Sequence, residues 1–135
     1  MWKTLLDQHD ALSVRQVTRY GGRIIKTTGD GILATFDGPA RSVRCAQAIS
    51  EGARRLGIGV RAGVHTGEVE LRGDDVSGLG VNIASRIEAL AGPGEVLVSR
   101  TVTDLVTGSG IEFTDRGPHD LKGVPGRWQL FLATG

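Results

Sequence analysis

Three stretches of this sequence carry residue types at spacings that chemistry can use. The segment from Arg23 to Phe36 places one carboxylate, Asp30, between two β-rich apolar runs. An Asp-Gly pair in that setting predicts a tight turn with positive φ. Gly29-Asp30-Gly31 then reverses the chain and holds the carboxylate on rigid backbone, as a metal ligand requires. An isolated Asp-Gly also serves simply to make a turn, so the choice rests on the residues that accompany it. Asn82 and Arg86 are four residues apart, which puts them one above the other on a helix, about 100° from its apolar face. Taken alone, that pair reads better as a first-turn cap, Asn82, and a solvated charge, Arg86. His65 ends an alternating segment beside Thr66-Gly67, with no second histidine at a chelating interval, and is read as a hydrogen-bonded structural residue.

The elements that must position these residues are short and closely punctuated. Leu5, Leu6, Leu12, Val14 and Val17 recur at roughly helical spacing before Gly21-Gly22, which predicts a helix over 2–20. The hairpin follows, and Asp37-Gly38-Pro39 opens a second helix that runs to about Leu56, burying Val43, Ala46, Ile49 and Ala53. Strict alternation over 58–65 predicts a strand with one buried face, and a second alternation over 68–71 predicts pairing with the next segment. A loop over 72–80 leads to a helix over 81–91 that buries Ile83, Ile87 and Leu90 and ends at Gly92-Pro93-Gly94. A strand over 95–99, a short helix over 100–107 and a terminal antiparallel pair, 111–114 with 128–132, complete the chain. Lys122 falls in the turn connecting that pair.

Composition narrows the classes of function. With 135 residues, 39% hydrophobic and 23% charged, the chain suits one domain, 1–135, with a modest core. Sixteen basic residues against fifteen acidic leave a net charge of +1, so bulk electrostatics advertise neither a nucleic-acid nor an anionic-membrane partner. Only six aromatic residues are present and none clusters on a strand, which argues against an RNA-stacking sheet. One cysteine, Cys45, excludes an internal disulfide and a cysteine-based zinc site. A reducing, cytoplasmic location is therefore expected, with no leader and no membrane span.

Four motifs in order, Lys26-Thr-Thr-Gly-Asp30-Gly31, Val60-Arg-Ala-Gly-Val-His-Thr-Gly67, Asp75 with Val81-Asn-Ile-Ala-Ser-Arg86, and Leu121-Lys-Gly123, resemble the class III nucleotidyl cyclase catalytic domain, bacterial adenylate cyclases above all. The resemblance runs over nearly the whole chain and implies an α+β fold, a ferredoxin-like βαββαβ core with additional C-terminal strands. It implies conversion of ATP to 3′,5′-cyclic AMP and pyrophosphate at a site shared across a head-to-tail homodimer, in the service of intracellular signal transduction. Asp30 would be the second of two aspartates that bind two divalent ions, Mg²⁺ or Mn²⁺. Lys26 and Asp75 would read the purine, Asn82 would orient the ribose, Arg86 would neutralise charge on the moving phosphoryl group, and Lys122 would hold the terminal phosphates.

One expected part is missing. The resemblance calls for a first strand, central to the sheet, that carries the first metal aspartate. Asp7 and Asp10 are the only acidic residues ahead of the hairpin, and both fall on the predicted helix. The middle of the sheet should therefore be open, with backbone groups unpaired. Truncation is the expected cause, Met1 being an internal start or the strand lying upstream. The alternative function is a catalytically silent module that pairs with an intact cyclase domain and lends it Lys26, Asp75, Asn82, Arg86 and Lys122.

Overall fold

The computed structural model describes residues 2–28, 31–73 and 75–134. Helix α1 (Trp2–Arg19) leads into an antiparallel hairpin, β1 (Arg23–Thr28) and β2 (Gly31–Thr35), whose last paired residues are Thr28 and Gly31. Helix α2 (Pro39–Arg55) follows, with Pro39 in its first turn, where the missing N–H has no intrahelical partner to lose. Strand β3 (Ala62–Val64), a second hairpin of β4 (Glu70–Arg72) and β5 (Asp75–Ser77), and helix α3 (Leu79–Leu90) come next. The chain closes with β6 (Val96–Ser99), α4 (Arg100–Leu105), β7 (Phe113–Asp120) and β8 (Arg127–Ala133). This is the expected α+β class.

The principal sheet has the order β3-β6-β8-β7, parallel between β3 and β6 and antiparallel elsewhere. All four residues of β6 are buried, as in a strand covered on both faces. Its side chains alternate between two cores. Val96 and Val98 join Val64, Val43 of α2, and Val102 and Val106 of α4. Leu97 turns to the other face and joins Ile83 and Ile87 of α3, with Leu121 and Leu130. A third cluster, Val17, Cys45 and Ile49, ties α1 and α2 to the hairpin residues Ile24, Ile32, Ala34 and Phe36.

The sequence expectations hold for element order, with five corrections. The strand expected over 58–65 pairs only at Ala62–Val64, against Val96–Val98 of the four-residue β6; its other edge has no strand partner among the described residues. The segment expected as a loop over 72–80 contains β5, antiparallel to β4, and Gly73 at φ +61° makes the reversal. The following helix starts two residues early, at Leu79, and Leu90, expected on its buried face, is 44% exposed. Strand β7 extends to Asp120 rather than ending at 114, with a register irregularity between Asp115 and Pro118 that absorbs the proline. The expected opening in the sheet is present: β1 and β2 form their own two-stranded sheet, separate from β3. Asp7 and Asp10 both lie within α1.

Contact between α3 and β3 is close enough to demand a glycine. A Cβ on Gly63 would lie 2.5 Å from the carbonyl oxygen of Ala84 and 2.5 Å from the amide nitrogen of Glu88, both backbone atoms of α3. Gly63→Ala must therefore lift the helix off the strand, and is expected to cost about 1–3 kcal/mol, measurable as a lower urea midpoint at unchanged m-value.

Candidate active site

The two hairpins bring together residues 49 positions apart in sequence. Lys26 on β1 and Asp75 at the start of β5 form an ion pair, Nζ to Oδ1 3.2 Å and Nζ to Oδ2 3.5 Å. Both side chains are about half exposed, at 48% and 55%. Asp75 is fixed independently of the lysine, since the Val76 N–H donates to its Oδ1 at 2.8 Å. That backbone bond first, and the Lys26 ammonium second, hold the carboxyl below its usual range. The carboxylate thus remains an acceptor throughout the neutral and mildly acid range.

Helix α3 begins after Gly78, whose φ of +112° suits only glycine. Ile83 and Ile87 are buried, and Asn82 and Arg86, each one residue earlier, stand exposed on the adjoining face. Neither side chain makes a hydrogen bond or ion pair with the described residues. The turn carrying Lys122 is anchored on the same helix: Leu121 is 3% exposed within the Ile83/Ile87 cluster, and the Val124 N–H closes the turn on the Leu121 carbonyl at 2.9 Å. Lys122 itself is exposed and also without a partner among the described residues. An exposed asparagine, guanidinium and ammonium held on a rigid frame are groups that bind polar, anionic ligands.

Asp30, the expected metal ligand, lies outside the described residues, between the paired ends Thr28 and Gly31. Among the described residues no cluster of three or more His, Cys, Asp or Glu could hold a metal ion. His65 has the structural part expected of it. Its Nδ1 and the hydroxyl of Ser99, on buried β6, are 2.7 Å apart, and its ring meets the Trp128 ring edge-on at 5.6 Å. Burial pushes its pKa down. Sequence reasoning does not single out two polar residues of α1, His9 and Ser13, which are 5% and 0% exposed. Their four-residue spacing ahead of Val17 is the signal that finds them, since it places all three on one helical stripe.

The model of the adenylate and guanylate cyclase catalytic domain matches residues 2–135. The chain belongs to that family. A crystal structure of an adenylate/guanylate cyclase/hydrolase from Silicibacter pomeroyi superposes with a TM-score of 0.85 at 30% identity, covering 100% of this chain and 88% of the other. A Rhizobium meliloti (strain 1021) protein named "Putative adenylate cyclase 3" is 40% identical over 112 residues, which is 76% of this chain but 19% of that protein. The cyclase domain thus spans about a fifth of the length of that relative. Adenylate cyclases from Trypanosoma brucei in their monomeric state, at 20% identity and TM-score 0.87 over 98% of this chain and 78% of theirs, share the fold. In this structure the Lys26–Asp75 pair lies on two hairpins outside the four-stranded sheet, Asn82 and Arg86 lie on α3, and Lys122 lies in the turn between β7 and β8. No helix among the described residues is long and apolar enough to cross a membrane.

Two expected outcomes follow from this geometry. The Lys26–Asp75 pair is exposed, so its charges are screened and it adds little to folding; Lys26→Ala should leave the thermal midpoint within error of the parent while weakening binding of whatever the pair recognises. His65 behaves otherwise. The folded chain holds it neutral below pH 6.5, its ordinary value, whereas the unfolded chain protonates there. Stability should therefore fall as pH drops from about 6.5 toward the lowered folded pKa and level off below it. His65→Gln should flatten that segment of a stability-against-pH curve measured by urea unfolding.

Proposed function

We propose that this cyclase domain converts ATP to 3′,5′-cyclic AMP and pyrophosphate. The observation that carries the choice of ATP is the Lys26–Asp75 pair, 3.2 Å apart. Adenine offers an acceptor at N1 and a donor at N6, which an ammonium donor and a carboxylate acceptor complement. Guanine inverts both, presenting a donor at N1 and an acceptor at O6, and each side chain would then face a like partner. The Val76 N–H that grips Asp75 supports the same reading, because an acceptor fixed by backbone discriminates better than a free one.

The remaining groups take roles that suit their chemistry. Asn82 orients the ribose, and Arg86, a permanently charged planar cation, neutralises charge on the phosphoryl group as the 3′-hydroxyl attacks and pyrophosphate departs. Lys122 holds the terminal phosphates as a point charge. Asp30 supplies an oxygen donor of the kind that Mg²⁺ or Mn²⁺ takes. Two such ions, when bound, would supply activation of the hydroxyl and charge neutralisation. A head-to-tail homodimer, or pairing with another cyclase domain, would set the metal side of one copy against the purine and transition-state residues of the other.

The test is cyclic nucleotide formation from ATP and from GTP with Mn²⁺, by the parent chain and by Asp30→Ala, Lys26→Ala and Arg86→Ala. Arg86→Ala should lower kcat on the order of 10²- to 10⁴-fold, Asp30→Ala should abolish turnover, and Lys26→Ala should narrow the preference for ATP. A parent chain that prefers GTP would overturn the purine assignment. Turnover that appears only on mixing with an intact cyclase domain, and then survives Asp30→Ala, would establish the donor module instead.

A further inference from the structure

The serine that starts α4 is not used as a cap. Ser99 stands immediately before Arg100–Leu105 and its side chain makes no bond to that helix, although a serine in this position ordinarily accepts from an amide of the first turn. Its hydroxyl, fully buried, is turned instead to His65 Nδ1, 2.7 Å away. The imidazole is held on a second side by Trp128, edge-on at 5.6 Å, whose own indole N–H donates to the Pro125 carbonyl at 3.2 Å. Both supports stand on the four-stranded sheet, where Ser99 of β6 pairs with Leu130 of β8. A side chain that only fills space calls for no such diversion of a capping group.

The third side of the ring meets the chain that leads to α3. A Cβ on Gly67 would lie 2.9 Å from His65 Nε2 and 3.6 Å from Gly80 Cα, so imidazole, Gly67 and Gly80 are stacked with no room for a side chain between them. Gly80, buried in the first turn of α3, is tied to the same segment by its N–H, which donates to the Glu68 carbonyl at 3.1 Å. A Cβ on Gly80 would come within 2.7 Å of that oxygen. Asn82 is two residues further on, its N–H donating to the Gly78 carbonyl at 3.2 Å. Beside the stack lies a pocket of about 420 Å³ whose walls include His65, Glu68, Leu79 and Ile83. That space leaves the segment without packing on one side, and the imidazole supplies the support.

We propose that His65 and Ser99 are positioning residues for Asn82: together they brace the first turn of α3 against β6, so that the asparagine is held at the place where it orients the ribose. This rests on the role given to Asn82 in the proposed cyclisation of ATP. Reading of the purine is separate, because Asp75 is held by the Val76 N–H and by Lys26 rather than by this stack. Loss of the brace therefore slows the chemical step and spares the choice of base. Misplacing a group that orients substrate by about 1 Å is enough to cost on the order of 10²-fold in rate.

The experiment compares the 135-residue chain with Ser99→Ala, Gly67→Ala and the double variant. Ser99→Ala breaks no capping bond, so its effect isolates the histidine. Amide hydrogen exchange without nucleotide should show protection at Gly80 and Asn82 lower by about tenfold or more in each single variant, with α2 and β8 unchanged. Cyclic AMP formation, by the chain alone or mixed with an intact cyclase domain, should show kcat lower by about 10- to 100-fold, at unchanged KM for ATP and unchanged preference for ATP over GTP. Without the Ser99 hydroxyl the ring yields to the methyl of Gly67→Ala, so the double variant should lose little more than either single one, whereas independent sites would multiply their losses. Protection at Gly80 left intact, or lost equally across α2 and β8, would overturn the proposal, as would multiplied losses or a raised KM at unchanged kcat. A parent chain that forms no cyclic AMP would sink the reading of the site as an adenylate cyclase, while the exchange arm still decides the brace.

Discussion

Burial of β6 on both faces is the constraint on which the rest of this domain depends. Four consecutive buried residues, Val96 to Ser99, send side chains alternately into the α2/α4 core and the α3 core. A strand covered in this way cannot shift register without moving apolar groups from one core to the other. Its neighbours inherit that fixity: β3 through parallel pairing, β8 through antiparallel pairing, and α3 through a glycine that lets helix and strand backbones nearly touch. Ser99, the last residue of β6, extends the same control to the surface by holding His65.

The residues of the candidate site are carried by this frame without belonging to it. Lys26, Asp75, Asn82, Arg86 and Lys122 are all exposed, and among them only Lys26 and Asp75 are paired with each other. Exposed cations cost the fold little and remain available to a ligand. What the frame contributes is position. Asn82 and Arg86 are aimed by the burial of Ile83 and Ile87, Lys122 by the burial of Leu121, and Asp75 by the backbone of Val76. Asn82, Arg86, Lys122 and Asp75 each sit next in sequence to a group that is held, which is how these exposed side chains keep their positions.

The division of the sheet has consequences for both stability and function. The hairpin with Lys26 rests on α1 and α2 through Val17, Cys45 and Ile49, not on strand pairing with β3. Its orientation relative to the α3 layer is therefore set by helix packing, here assisted by the exposed ion pair to β5.

Much of this was legible in the residues alone. Helical and alternating periodicities placed α1, the first hairpin, α2, α3 and the terminal strand pair, because those elements have one wet face and one dry face. The four motifs led to the cyclase family. Other features were decided only by the tertiary structure. The alternation over 58–65 could not reveal that only Ala62–Val64 would pair, since the paired length depends on the length of the strand beside it. The 72–80 segment gave no strand signal, because β5 is three residues long and exists through its pairing with β4. The contact of Lys26 with Asp75 is a relation between distant segments. Sequence spacing fixes which face of its own element a side chain occupies, but only packing decides what lies opposite.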